Sequence, residues 1–135
     1  MATKIIEIEG IGKSYAVKLE AAGIKTVEDL LEKGATAKGR EKISEKTGIS
    51  TKLILEWVNK ADLMRIKGIG QEYADLLEAA GVDTVPELSR RNPQNLFEKL
   101  KEVNEEKKLV RQLPSLKKIE NWVEQAKNLP KKVTH

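Results

Sequence analysis

The sequence predicts an all-α protein made of two tandem repeats, each of about four to five short helices packed together. Three observations carry that prediction. An eighteen-residue stretch occurs twice, GIGKSYAVKLEAAGIKTV at 10–27 and GIGQEYADLLEAAGVDTV at 68–85, with twelve positions identical. Between the copies, apolar residues recur at the three- and four-residue spacing of an amphipathic helix. Helix-capping residues and glycine stops follow in the same order in both halves.

In chain order, Ile5, Ile6 and Ile8 suit a short helix or extended arm, since no partner strand is visible in the sequence. Gly10-Ile11-Gly12 makes a tight turn with Ile11 as its plug. A helix follows from Lys13 to about Ala22, with Ala16 and Leu19 facing inward, and Gly23 stops it. Thr26 and Asp29 have capping-box spacing for the next helix, which ends at Gly34. Thr36 caps a third helix, closed by Thr47-Gly48. Ser50 caps a fourth, whose stripe is Leu53, Ile54, Trp57, Val58 and Ala61. Trp57 in mid-stripe reads as core.

The second copy replays this order. Gly68-Ile69-Gly70 forms the turn, Ala74 and Leu77 face inward, and Gly81 stops the helix. Thr84 caps the next one with Pro86 in its first turn, where proline is tolerated, and Glu87 as the capping-box acid. Asn92-Pro93 starts another helix and Ser115 the last, with Ile119, Trp122, Val123 and Ala126 repeating the tryptophan stripe. The turns lie 58 residues apart and the tryptophans 65, which implies an insertion of about seven residues near 101–112. The predicted repeats are 1–62 and 63–130, with 131–135 a frayed tail.

Composition bounds the function. The chain has 135 residues, 39% hydrophobic and 34% charged, with no cysteine and one histidine, the terminal His135. Disulfides and thiolate metal sites are excluded. No apolar run approaches the ~20 residues of a membrane span, and no signal peptide is recognisable at the N-terminus; a cytoplasmic location is expected. The net charge of +4 is mildly basic. It permits nucleic-acid binding without requiring it. The excess leans to the second half, in pairs such as Arg90–Arg91, Lys117–Lys118 and Lys131–Lys132, which read first as solvated surface. No catalytic constellation is present: Gly12-Lys13-Ser14 imitates the end of a nucleotide-binding loop, but the loop's first glycine and its preceding strand are missing.

The repeated pattern resembles the helix-hairpin-helix motif. It stands as Ile8-Glu9-Gly10-Ile11-Gly12 through Ala16 and Leu19, and again as Ile66-Lys67-Gly68-Ile69-Gly70 through Ala74 and Leu77. Over nearly its full length the chain resembles a prokaryotic family of unknown function built from tandem repeats of that motif, in a SAM-like, helix-hairpin-helix architecture. The resemblance implies non-enzymatic, sequence-independent binding of DNA, with RNA sharing the same backbone chemistry. Amides at the start of the helix after each turn lack intrahelical acceptors and suit a phosphate oxygen. The expected contacts are Gly10, Ile11, Gly12, Lys13 and Ser14 in the first copy, and Lys67, Gly68, Ile69, Gly70 and Gln71 in the second. Lys13 and Ser14 favour the first copy; Glu72 disfavours the second. Tyr15 and Tyr73 could stack on a base, though half-burial against the turn is the commoner fate. No cofactor or metal is called for. The rival reading is a protein-interaction or scaffold module in which the Gly-Ile-Gly turns serve only packing.

Overall fold

A computed structural model describes residues 3–8 and 10–134; Glu9 and His135, both weighed above, lie outside the described residues. Among the described residues the protein is all helical, with eight α-helices, one 3₁₀ turn and no named strand. The chain divides into two compact units, 1–62 with 132–135, and 63–131.

The first unit opens on the 3₁₀ turn Ile5–Glu7. The arm before it touches the segment entering α2, through a single antiparallel bridge between Lys4 and Thr26. Then come α1 (Lys13–Ala21), α2 (Val27–Lys33), α3 (Ala37–Thr47) and α4 (Thr51–Leu63). Gly23 closes α1 at φ 87°. The amide of Ile24 reaches back to the carbonyl of Leu19 at 2.9 Å and that of Gly23 to Glu20 at 3.0 Å, the double bond of a Schellman ending. Thr26 and Asp29 complete the expected capping box. The core is built from Ile5, Ile8, Ile11, Leu19, Leu30, Ile54 and Trp57, all buried.

The second unit holds α5 (Gln71–Ala79), α6 (Val85–Ser89), α7 (Pro93–Lys107) and α8 (Leu116–Asn128). Its core runs from Leu63 through Ile66, Leu77, Val82, Leu88, Leu100, Ile119 and Trp122. The insertion resolves into three parts. Helix α6 has five residues where α2 has seven, α7 has fifteen where α3 has eleven, and the connection before α8 is longer than the one before α4. That connection is ordered by Asn104, whose carboxamide brackets Val110, donating to its carbonyl at 3.1 Å and accepting from its amide at 3.0 Å.

Two expectations need correction. Thr84 occupies the N-cap of α6 but its side chain makes no capping bond. Glu87, the intended box partner, turns instead to Arg91 at 3.5 Å and Arg90 at 3.9 Å. Nor does the described part of the tail fray. Val133 is buried, the Thr134 amide donates to Ala35 O at 2.8 Å, and the guanidinium of Arg40 donates to Thr134 O. Arg40 also donates to Gly34 O at 2.8 Å. These carbonyls satisfy a buried cation that would otherwise be costly, and burial pulls its pKa below the ordinary arginine value.

Candidate functional site

Each unit presents one Gly-Ile-Gly turn, and the backbone follows the same course in both. Gly10 and Gly68 take φ of 93° and 99°, a region closed to most L side chains. The isoleucine between the glycines points inward, Ile11 at 3% and Ile69 at 4% exposure. Gly12 and Gly70 then stand as extended N-caps of α1 and α5, with no side-chain cap.

A tryptophan of the same unit braces each turn. A Cβ built on Gly10 would lie 3.3 Å from Trp57 Nε1; one on Gly68 would lie 2.9 Å from Trp122 Nε1. Tyr15 packs edge-on against Trp57 with ring centroids 5.2 Å apart, and Tyr73 tilts against Trp122 at 5.3 Å. Both tyrosines are half-buried, so their rings serve the turn. The hydroxyl of Tyr73 also donates to Gln112 O at 3.2 Å, fastening the inserted connection.

The other side of each turn is open. A Cβ on Gly12 or Gly70 would meet nothing within 4 Å. At the Gly10 turn, Lys13 and Ser14 are exposed, and their amides have no acceptor among the described residues. Helix α1 has no acid in its first turn, whereas α5 has Glu72. Gln71 is half-buried and donates to Asp75 Oδ2 at 3.3 Å, so its carboxamide is engaged along α5. The position matching Asp75 in α1 is Val17, which is exposed.

Lys67 belongs to a larger arrangement. It lines a cavity of about 490 Å³ with Gly68, Ser115, Lys117, Lys118, Asn121 and Trp122. Among the described residues, three cations and no carboxylate line this cavity. Gln125 holds Lys67 in place from α8, accepting from its amide at 2.9 Å and donating to its carbonyl at 3.1 Å. Lys117 and Lys118 are the residues that sequence reasoning missed as part of a site. No sequence signal marked them, since the contact of Trp122 with the Gly68 turn appears only in the fold. The repeat register on α4 puts Lys52, Leu53 and Glu56 opposite Lys117, Lys118 and Asn121.

Other cations have structural work. Lys33 donates to Gly23 O at 3.1 Å and Arg91 to Ala80 O at 3.3 Å. Each sits at the C-terminal end of α1 or α5, where the helix dipole favours positive charge. Among the described residues no group of three His, Asp or Glu could hold a metal ion. Among the described residues no helix is long and apolar enough to cross a membrane.

The chain belongs to the family described as "Domain of unknown function (DUF4332)", whose model matches residues 9–129. No curated protein and no solved structure shows significant similarity to it.

Proposed function

We propose that this DUF4332 protein binds the phosphate backbone of nucleic acid, with DNA as the reference ligand, through two helix-hairpin-helix elements and without reading base sequence. The observation that carries the reading is the solvent-facing side of the turns. Both N-cap glycines are open, neither has a side-chain cap, and an exposed lysine and serine follow the first. A phosphate oxygen can approach such amides closely and gains from the positive end of the helix dipole. Contacts of this kind position a protein on a strand and carry no base information.

Nothing in the chemistry of the turns calls for catalysis, and the proposed role is non-enzymatic. Affinity for duplex DNA should fall with salt, at a log–log slope of roughly −2 to −4 for ~2–4 neutralised phosphates. Retention measured across a salt series checks this, and no binding at low ionic strength would sink the proposal.

One observation favours the rival, a protein-interaction module. Val17 lies 58% exposed on α1, one turn beyond Lys13. If Val17 is an anchor for a protein partner, the uncharged change Val17→Ser abolishes that association and leaves DNA retention unchanged.

A further inference from the structure

We infer that the cavity beside the Gly68 turn is a site for a doubly charged phosphate group, the terminal phosphomonoester of a nucleic-acid strand. The inference deepens the backbone-binding reading and rests on it.

Charge is the first ground. Lys67, Lys117 and Lys118 all line one cavity, and among the described residues no carboxylate lines it. A backbone phosphodiester carries a single negative charge, whereas a phosphomonoester carries about −1.5 to −2 at pH 7. Three lysines around one cavity match the second better than the first.

Construction is the second ground. The lysines come from two separate segments, and their backbones are fixed. The carboxamide of Gln125 grips both backbone groups of Lys67. The Ser115 hydroxyl accepts from the Lys118 amide at 3.2 Å, which leaves its proton to donate. The Asn121 carbonyl oxygen is taken by Gln125 at 2.7 Å, which leaves its NH₂ as a donor. Gly68 offers no side chain in the way of an incoming group. The wall is therefore a set of donors, as a phosphate requires, and about 490 Å³ leaves room for the attached sugar.

The first unit supplies an internal control. Its matching positions in the sequence, Glu9, Lys52, Leu53 and Glu56, hold one cation and two acids. The cation cluster is thus a property of the second unit and not of the repeat.

The test compares two short single strands of one sequence, one with a 5′-phosphate and one with a 5′-hydroxyl, by fluorescence anisotropy on the full chain. The phosphorylated strand should bind about five- to tenfold more tightly. Lys117→Gln/Lys118→Gln should erase that preference, so that the variant binds the phosphorylated and the hydroxyl strand equally, whatever general loss of affinity the two missing charges bring to both. Both lysines are exposed, and an unchanged melting temperature verifies the variant's fold. The preference should also shrink as the pH falls below about 6, where the phosphomonoester gains a proton. Equal binding of the two strands overturns the inference and leaves backbone binding standing. A preference that survives the double substitution overturns it as well. Absence of binding by either strand overturns both readings. A free 5′-mononucleotide should compete poorly, because it lacks the neighbouring backbone; competition at equal strength overturns the assignment to a strand end.

Discussion

The Gly10 and Gly68 turns share a backbone and differ in charge. Both carry a glycine at φ above 90°, a buried isoleucine, an open N-cap glycine, and a tryptophan with a tyrosine against it. Around that common frame the polar groups are exchanged. The Gly10 turn has its cation and hydroxyl after the turn, on α1. The Gly68 turn has an acid there, and its cations gather on the opposite side, from Lys67 and the start of α8. Packing residues are fixed because a turn this tight allows few solutions. Charges at its rim are free to vary, and there the two copies diverge. The comparison teaches that the repeat holds a shape in common while the charged groups at its rim are placed differently in each copy.

The largest expected effect tests the common frame. Gly10→Ala and Gly68→Ala each force a β carbon into the left-handed region, at a cost of about 1–2 kcal/mol. The Gly68 substitution should cost more, because its Cβ would stand 2.9 Å from the Trp122 indole against 3.3 Å at Trp57. Chemical denaturation of the two variants measures the order. Equal, small losses would mean that the tryptophans do not brace the turns.

A second experiment moves the charge difference from one unit to the other. Leu53→Lys/Glu56→Asn gives α4 the residues that α8 has at Lys118 and Asn121. Strand affinity should rise about three- to tenfold and the salt dependence should steepen by about one to two phosphates. An unchanged salt slope would show that Lys117 and Lys118 owe any effect to something other than their charge.

The third prediction concerns the amide side. Lys13→Glu places an acid where the Gly10 turn now has an exposed cation, whereas Gln71→Glu adds one beside Glu72, where an acid already stands. The first change should weaken DNA binding about threefold or more, the second less. Equal losses in parallel titrations would remove the ranking of the two turns.

These contrasts also mark what could be read in the sequence. The caps at Thr36, Ser50, Asn92 and Ser115 were legible, because each depends on an amide three residues away. The tryptophan helices were legible as core stripes by period alone. What Trp122 presses against was not, since Gly68 lies far off in sequence. The cavity was hidden for the same reason: Lys117 and Lys118 look like any solvated pair until α8 is laid beside the turn. Val133 gave no warning of its burial, being a single apolar residue in a polar run with no period to read. Thr84 misled in the opposite way, with a correct local signal. Glu87 was captured by two arginines, and a spacing rule does not weigh that competition.

The smallest effect separates the two copies at their second helices. Thr26 accepts from the Asp29 amide at 3.0 Å, and the Asp29 carboxylate accepts in return from the amides of Thr26 and Lys25. Thr84 makes no such bond. Thr26→Ala should therefore cost about 1 kcal/mol, and Thr84→Ala no more than about 0.5 kcal/mol. Acid sharpens the difference. The Lys25 amide, with Thr26, holds the Asp29 carboxyl below its ordinary pKa. A group depressed on folding stabilises fully above its unfolded value, about 4, and loses that stabilisation as the pH falls through the lower folded value. The gap in melting temperature between the wild type and Asp29→Asn should thus be widest near neutrality and close toward acid pH. A gap that stays constant down to strongly acid pH would mean that the carboxylate's charge contributes nothing to the box and that its geometry alone holds α2 in place.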